Sequence, residues 1–386
     1  MDGFQPFAAL SRFGYDLQRV PFADLPGVGT DDHQAAWAAF MVGAHALVAG
    51  LPATRPALPA SPAFIRLCAQ ASEIAAPASN AAAQRLFEAH FAAFRIFPHI
   101  GMQPGGAGFV TGYYEPELCG SLERSPAFQS PVLARPDDLV TFTAGGTPAA
   151  LAPHLSAGRR DGHGQWLSYP DRAAIENCAG TPPRRPIVWL RDAVEVFLVQ
   201  VQGSARINLP DGSTIRLAYA GRNGLPYTSI GRILIDEGHM AQADMSLANL
   251  KAWLRAAGQG DGEAGRIVMQ RNRSYVFFKF DESLPPESGP LGAAGVSLTA
   301  LRSIAVDRSI WHYGLPFWLN ADLPWRNGEI AKFQRMMIAQ DTGSAMIGPA
   351  RADIYCGSGS TAGILAGNIR HQAQMHVLLP MEDASA

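Results

Sequence analysis

Pro210-Asp211-Gly212, set between two runs rich in apolar and β-branched residues, constrains the fold of this chain more than any other feature. Proline presets φ for one turn position, and glycine tolerates the positive φ that a tight reversal needs. VEVFLVQVQGSARINLPDGSTIRLAYAG at 194–221 is therefore expected to hold strands paired across a hairpin. The same punctuation by Gly and Pro runs from Gly108 onward. GFVTGYYEPEL at 108–118 and SYVFFKF at 274–280 read as strands, and residues 295–379 alternate short strands with turns. TSIGRILIDEGHM at 228–240 and MSLANLKAWLRAAG at 245–258 interrupt them as short amphipathic helices.

The first hundred residues differ. Trp37, Phe40, Met41, Ala44, Leu47 and Val48 recur at steps of three and four behind Thr30, Asp31 and Asp32, which predicts a helix. A second helix is expected to start near Asn80, to carry Phe87, Phe91 and Phe94 on one face and to stop before Pro98. Residues 51–62, rich in Ala and Pro, read as a connection. No repeat of about 20–50 residues is present, which disfavours a solenoid or propeller.

At 386 residues, 47% hydrophobic and 17% charged, the chain is long enough for two domains or one elaborated domain with a substantial core. A net charge of −2 gives no basic field for a phosphate backbone, so nucleic acid is not an expected partner. No run of about 18 apolar residues occurs, and MDGFQPFAALSRFGYDL lacks the basic and apolar regions of a secretory signal. Cys68, Cys119, Cys178 and Cys356 lie far apart without C-x-x-C spacing and read as small buried hydrophobes, with two disulfides as the alternative in an oxidising compartment. The ten histidines show no H-x-x-H or H-E-x-x-H spacing, so no metal site is expected, and His312 reads as structural. Nucleotide-binding glycine motifs are also missing, so no cofactor is expected. GSGSTAG at 357–363 reads as a flexible groove loop rather than a phosphate cradle.

Two aspartates draw attention. Asp341-Thr342-Gly343 is the tripeptide of aspartic proteases, whose chemistry requires two such aspartates sharing a proton. The chain has no second copy, so a protease would need a homodimer. Asp341 also suits a turn in which it bonds its own backbone two residues on. Asp353 lies between Ala352 and Ile354-Tyr355 in an expected strand, followed by CGSGS, a loop open to a glycan. Burial there would keep a carboxyl group protonated for glycoside cleavage, and a turn cap is the equal alternative.

TGYYEPEL at 111–118, the run 199–238, SYVFFK at 274–279, SIAVDRSI at 303–310 and AQDTGSAMIGPARADIYCGSG at 339–359 together resemble the membrane-bound lytic murein transglycosylase A family, in the same order over roughly residues 105–380. The resemblance implies a mainly β (α+β) protein: a double-psi β-barrel with an inserted second β domain, plus N-terminal helices. The helical region would cover residues 1–105, the barrel 106–125 and 275–386, with its three-aspartate module at about 290–380, and the insert 126–274. A groove between barrel and insert would bind a peptidoglycan strand. The three aspartates map onto Asp307, Asp341 and Asp353; the resemblance makes Asp353 the catalytic acid and base, and Asp307 and Asp341 supports. The chain shows no lipoprotein signal with a lipidated Cys, a departure from the family's usual members, although the resemblance implies the periplasm and the outer membrane. Implied partners are peptidoglycan glycan strands and other cell-wall enzymes, with the protein acting as a monomer.

One carboxylate suffices for that chemistry. An ordinary glycosidase needs two, whereas here the N-acetylmuramic acid C6 hydroxyl attacks its own C1. Expected glycan contacts are Gln202, Gly203 and Ser204, a polar break at the end of an apolar strand, together with Gly343. Tyr113 and Tyr114 would offer ring faces or fill the barrel core. Tyr219, Arg222 and Asn223 would reach glycan or its lactyl carboxylate. Glu115 and Glu117, flanking Pro116, read as solvated or structural. The alternatives are an expansin-like binding module without catalysis and a hydrolase of β-1,4 glycans with a second carboxylate.

Overall fold

The computed structural model describes residues 15–98, 108–142, 146–177, 185–326 and 328–385. Its strands in chain order are β1 (Tyr15–Val20), β2 (Phe91–Pro98), β3 (Gly108–Glu115), β4 (Glu117–Ser121), β5 (Ser130–Leu133), β6 (Val140–Thr141), β7 (Ala157–Arg160), β8 (Trp166–Ser168), β9 (Pro186–Leu190), β10 (Ser204–Asn208), β11 (Thr214–Arg222), β12 (Val276–Phe280), β13 (Ser303–Ala305), β14 (Pro316–Arg326), β15 (Glu329–Asp341), β16 (Arg351–Ser358) and β17 (Arg370–Pro380). The helices are α1 (His33–Val48), α2 (Pro62–Glu73), α3 (Asn80–His90), α4 (Arg172–Glu176), α5 (Ala193–Gln202), α6 (Ile230–Asp236), α7 (Leu247–Ala256), α8 (Ala264–Arg271) and α9 (Gly359–Asn368). Among the described residues, none of these helices is long and apolar enough to cross a membrane. Of the N-terminal stretch read for a signal, residues 1–14 lie outside the described set.

The chain divides into two compact units. The first holds residues through Tyr114, Pro286–Gly357 and Thr361 onward; the second holds Glu115–Pro285 with Ser358–Ser360. The second unit thus reaches beyond residues 126–274 at both ends. The described residues among the first hundred belong to the first unit and contribute β1 and β2 to its sheet as well as α1–α3.

In the first unit the strands run β17-β14-β15-β13-β16-β3, and a β3–β17 pairing closes them into a six-stranded barrel. β13 and β15 are parallel, whereas β14 pairs antiparallel with β15 and with β17. β17 continues past β3 to pair with β2, which carries β1 on its other edge. Met336, Met337 and Ile338 are all fully buried, as are Trp318 and Phe317, the partners of the first two, and the next residue, Leu319. Strands so uniformly apolar need cover on both faces. α1 supplies part of it: Gln340 Nε2 donates to the Ala39 carbonyl at 2.8 Å, and the His33 ring stacks on Trp318.

Phe87, Phe91 and Phe94 are buried as expected, but one helix does not carry them. α3 ends at His90, and Phe91 turns to φ −128° and ψ 142° to start β2. Pairing of Phe91–Arg95 with β17 outweighs the helical spacing of the phenylalanines. α2 was not anticipated. Its signals are Ser61, whose hydroxyl accepts from Phe64 N, and Pro62 at the first helical position. Cys68 and Cys356 are buried and free, Cys119 is exposed rather than buried, and Cys178 lies outside the described residues.

The second unit is built on a six-stranded sheet, β12-β11-β10-β4-β9-β5, with a small sheet β6-β7-β8 and helices α4–α8. It is therefore a mixed insert rather than a β domain alone. β10 and β11 form the hairpin around Gly212, whose φ is +85°. The apolar run before it is a helix, not a strand. Asp192 caps α5 by accepting from Glu195 N at 2.8 Å, and Gly203 ends it at φ +88°. Val196 and Val199 pack on the sheet, while Val194, Phe197 and Leu198 pack on Ile230, Leu234 and Leu254. α5 is sandwiched, so it is apolar almost all round.

Near the C-terminus the expected loop at 357–363 is also ordered. β16 runs to Ser358 and α9 begins at Gly359, with Gly357 and Gly359 at φ +109° and +84° to make the turn. α9 sits close to β3: a Cβ on Gly112 would lie 2.7 Å from Ala366 Cα and 3.1 Å from Cys356 Sγ. Gly112→Ala is expected to lower stability by about 1–3 kcal/mol through overpacking, read as a lower urea midpoint at unchanged slope. An unchanged midpoint would show that α9 yields freely.

Candidate active site

Three strands of the barrel bring the aspartates together. Ala305 on β13 is the register partner of Asp341 on β15 and of Asp353 on β16. The two carboxylates thus flank one small residue, about two strand spacings, or about 9–10 Å, apart at their Cα atoms. Beyond β16, β3 supplies Thr111 and Tyr113, which share a face because side chains alternate along a strand.

The two carboxylates are held differently. Asp341 Oδ1 accepts from Ala293 N at 2.9 Å and Thr342 N at 2.8 Å, and its Oδ2 accepts from the Tyr113 hydroxyl at 2.8 Å. It therefore bonds the next residue and two distant ones, not its own backbone two residues on. Asp353 Oδ1 accepts from the Thr111 hydroxyl at 2.6 Å. No described residue donates to Asp353 Oδ2. The side chain is half-buried within β16, so Asp353 is a strand residue and not a turn cap.

Burial pushes the Asp353 carboxyl above its ordinary 3.8, and the nearby Asp341 adds to the rise; Arg351 and the Thr111 hydrogen bond oppose it. Burial and Asp341 also hold Tyr113 well above the ordinary range, so it stays a phenol and donates. Burial lifts the Cys356 thiol strongly, and pushes His312 down to about 4. His312 Nδ1 meets the Tyr313 carbonyl at 2.8 Å.

Asp307 closes a turn. Its Oδ1 accepts from Ser309 N and Oγ at 2.9 and 2.6 Å, and its Oδ2 accepts from Gly348 N at 2.8 Å. It ties the segment after β13 to the loop between Asp341 and Asp353. In that loop Gly343 is half-buried, and a Cβ there would meet only Met346 Cγ at 3.6 Å.

The remaining expected contacts divide. Tyr114 is buried with its ring against Gly363, as a core residue. Gln202 and Gly203 form the end and cap of α5, and Ser204 opens β10, so the polar break lies between helix and strand rather than at a strand end. Tyr219 is half-buried at a β-bulge in β11. Arg222 Nη2 donates to the Leu225 carbonyl at 3.0 Å. Asn223 is fully buried: its Nδ2 donates to Pro170 and Arg273 carbonyls, both at 2.9 Å, and its Oδ1 accepts from Tyr275 N at 2.9 Å. Its amide clamps backbone and is closed to a ligand, a correction to the expected glycan contact.

Glu115 is fully buried in the second unit, paired with Arg206 at 2.8 Å and Arg216 at 3.0 Å, and accepts from Ser358 Oγ at 2.7 Å. So tightly held a carboxylate is not a second acid. Glu117 is exposed. Sequence reasoning missed Thr111 and Arg351. Arg351 stands two residues before Asp353 and so on its face, the one local signal that was present.

Comparison with known proteins gives a single picture. Residues 109–279 match the MltA specific insert domain, and residues 302–379 match the 3D domain. The crystal structure of a membrane-bound lytic murein transglycosylase from Agrobacterium tumefaciens is similar at 36% identity with a TM-score of 0.82, over 97% of this chain and 99% of that one. Membrane-bound lytic murein transglycosylase A of Vibrio cholerae is 35% identical over 208 residues, 52% of this chain and 54% of the relative. Its Escherichia coli K12 counterpart is 34% identical over 252 residues, 62% of this chain and 65% of the relative. The chain thus spans 54% and 65% of the length of those two relatives.

Proposed function

This chain belongs to the membrane-bound lytic murein transglycosylase A family, and from that premise we propose that it cleaves the β-1,4 bond between N-acetylmuramic acid and N-acetylglucosamine in peptidoglycan, leaving a 1,6-anhydromuramoyl end. The observation that carries the reading is the asymmetry of the two carboxylates. Asp341 is held by three donors, whereas Asp353 has one, a free Oδ2 and a carboxyl raised by burial.

Asp353 acts first as an acid, giving its Oδ2 proton to the glycosidic oxygen as the bond to C1 breaks. The C6 hydroxyl of the same sugar then closes onto C1, and the Asp353 carboxylate takes its proton. The enzyme ends as it began, with no external water consumed. Holding that hydroxyl near C1 replaces a bimolecular step and is worth roughly 7–11 kcal/mol in favourable cases. Asp341 keeps Tyr113 in place and Asp307 fixes the loop between the acids. Gln202, Gly203, Ser204, Tyr219, Arg222 and Gly343 are assigned to glycan contacts. The protein works as a monomer in the periplasm at the outer membrane, consistent with relatives whose names call them membrane-bound.

Mass spectrometry of digested peptidoglycan tests this. Fragments one water lighter than hydrolysis products support the lyase. Reducing ends would replace it by a hydrolase, and binding without cleavage by a wall-binding module. The acid must be protonated to start the reaction, so kcat/KM is expected to fall on the alkaline side as pH passes the raised Asp353 pKa. A rate that instead rises through that range would remove Asp353 as the acid.

A further inference from the structure

Arg351 stands on the same face of β16 as Asp353, two residues away, and opposite it β3 presents Phe109 and Thr111. Its guanidinium bridges the two strands. Nη2 donates to Thr111 Oγ1 at 2.7 Å, Nη1 donates to the carbonyls of Phe109, at 3.5 Å, and Ala352, and the Phe109 ring lies 5.4 Å beneath it. The Thr111 hydroxyl has one proton. With Arg351 donating into its oxygen, that proton points to Asp353 Oδ1, at 2.6 Å.

We propose that Arg351 is a positioning residue: acting through Thr111, it confines the proton of Asp353 to Oδ2 and supplies the counter-charge when that proton leaves. The inference rests on the reading of Asp353 as the acid. An oxygen that already accepts a short hydrogen bond is the poorer place for a proton, so the proton occupies the oxygen without a donor. Chained hydrogen bonds polarise one another, and a guanidinium at the head of the chain strengthens the acceptor end.

The groups facing Asp353 set the direction of the effect. Asp341 comes from β15, Tyr113 from β3, and Arg351, Tyr355 and Cys356 from β16; Ser303–Ala305 of β13 bring no ionisable side chain. Arg351 is the cation of the set. Without it the Asp353 carboxylate is less stabilised, so the carboxyl holds its proton to higher pH and is a weaker acid.

The experiment compares the wild-type chain with Arg351→Met, Arg351→Lys and Thr111→Val. One readout is the pH profile of kcat on a soluble glycan. The other is the 13C titration of the Asp353 carboxyl, assigned by its loss in Asp353→Asn. Arg351→Met is expected to lower kcat on its plateau by about ten- to a hundredfold with little change in KM, and to move both the alkaline limb and the carboxyl titration to higher pH. Arg351→Lys, which keeps the charge, should leave the titration near that of wild type. Adding Arg351→Met to Thr111→Val should cost kcat less than it does alone, because the route through Thr111 is already cut. A titration unmoved in Arg351→Met, or additive losses in the pair, overturns the proposal. If the wild type yields no anhydro fragments, the functional reading fails, and the carboxyl titration still decides whether Arg351 acts on Asp353.

Discussion

Asp353→Asn is expected to lose at least about 10²–10⁴-fold in kcat, the range a positioned general acid contributes, while unfolding at a higher temperature than the wild type near pH 7.5. The two halves have one cause. In the folded chain Asp353 binds its proton more tightly than in the unfolded chain, so above about pH 4 the unfolded chain gives up a proton that the native state still holds. The stability associated with that proton is present below the unfolded pKa and is lost as pH rises through the folded one. An amide has no proton to lose, and its Oδ1 still accepts from Thr111. The stability gap in favour of Asp353→Asn should thus widen with pH and close toward pH 4. Thermal unfolding at several pH values reads the gap, and fragment release reads the activity. An Asn variant that retains more than a tenth of the rate, or that is less stable at every pH, would show that the carboxyl is not the strained acid the geometry describes.

The same geometry shows what the sequence made legible. Asp353 could be read as a strand residue because apolar residues flank it on both sides, and the β10–β11 hairpin because Pro210 and Gly212 each have one conformational use. α5 could not be read that way. A helix buried against a sheet on one side and other helices on the other is apolar at nearly every step, which erases the period that separates helix from strand; only Asp192 and Gly203 marked its ends. Phe91 and Phe94 failed for the opposite reason, since their spacing from Phe87 fits a helix and only pairing with the distant β17 and β1 makes Phe91–Pro98 a strand. Thr111 and Asp353 are 242 positions apart, so no local pattern links them. Asn223 resembled a ligand contact because its amide is versatile, and that versatility serves three backbone groups instead.

Asp31→Ala is expected to lower unfolding stability by about 3–5 kcal/mol, the cost of leaving one member of a buried ion pair without its partner. Arg302 and Asp31 are almost fully buried and meet through two parallel hydrogen bonds of 2.8 Å, Nη1 to Oδ2 and Nη2 to Oδ1. The guanidinium also donates to the Met336 and Asp32 carbonyls, and the carboxylate accepts from Met336 N at 2.8 Å. Removing the carboxylate therefore leaves a desolvated cation and two backbone donors, Met336 N and Asp32 N, unmet at once. The damage reaches the active site, because Arg302 immediately precedes β13, whose Ala305 spaces Asp341 from Asp353. Loss of activity at temperatures below unfolding should accompany the lower urea midpoint. Replacing both partners by apolar residues, Asp31→Leu with Arg302→Met, should restore much of the stability, since neither charge is then stranded. A loss below about 1 kcal/mol in Asp31→Ala would match a hydrated surface pair. In that case, packing of the barrel strands and not this ion pair would fix β13 between the two acids.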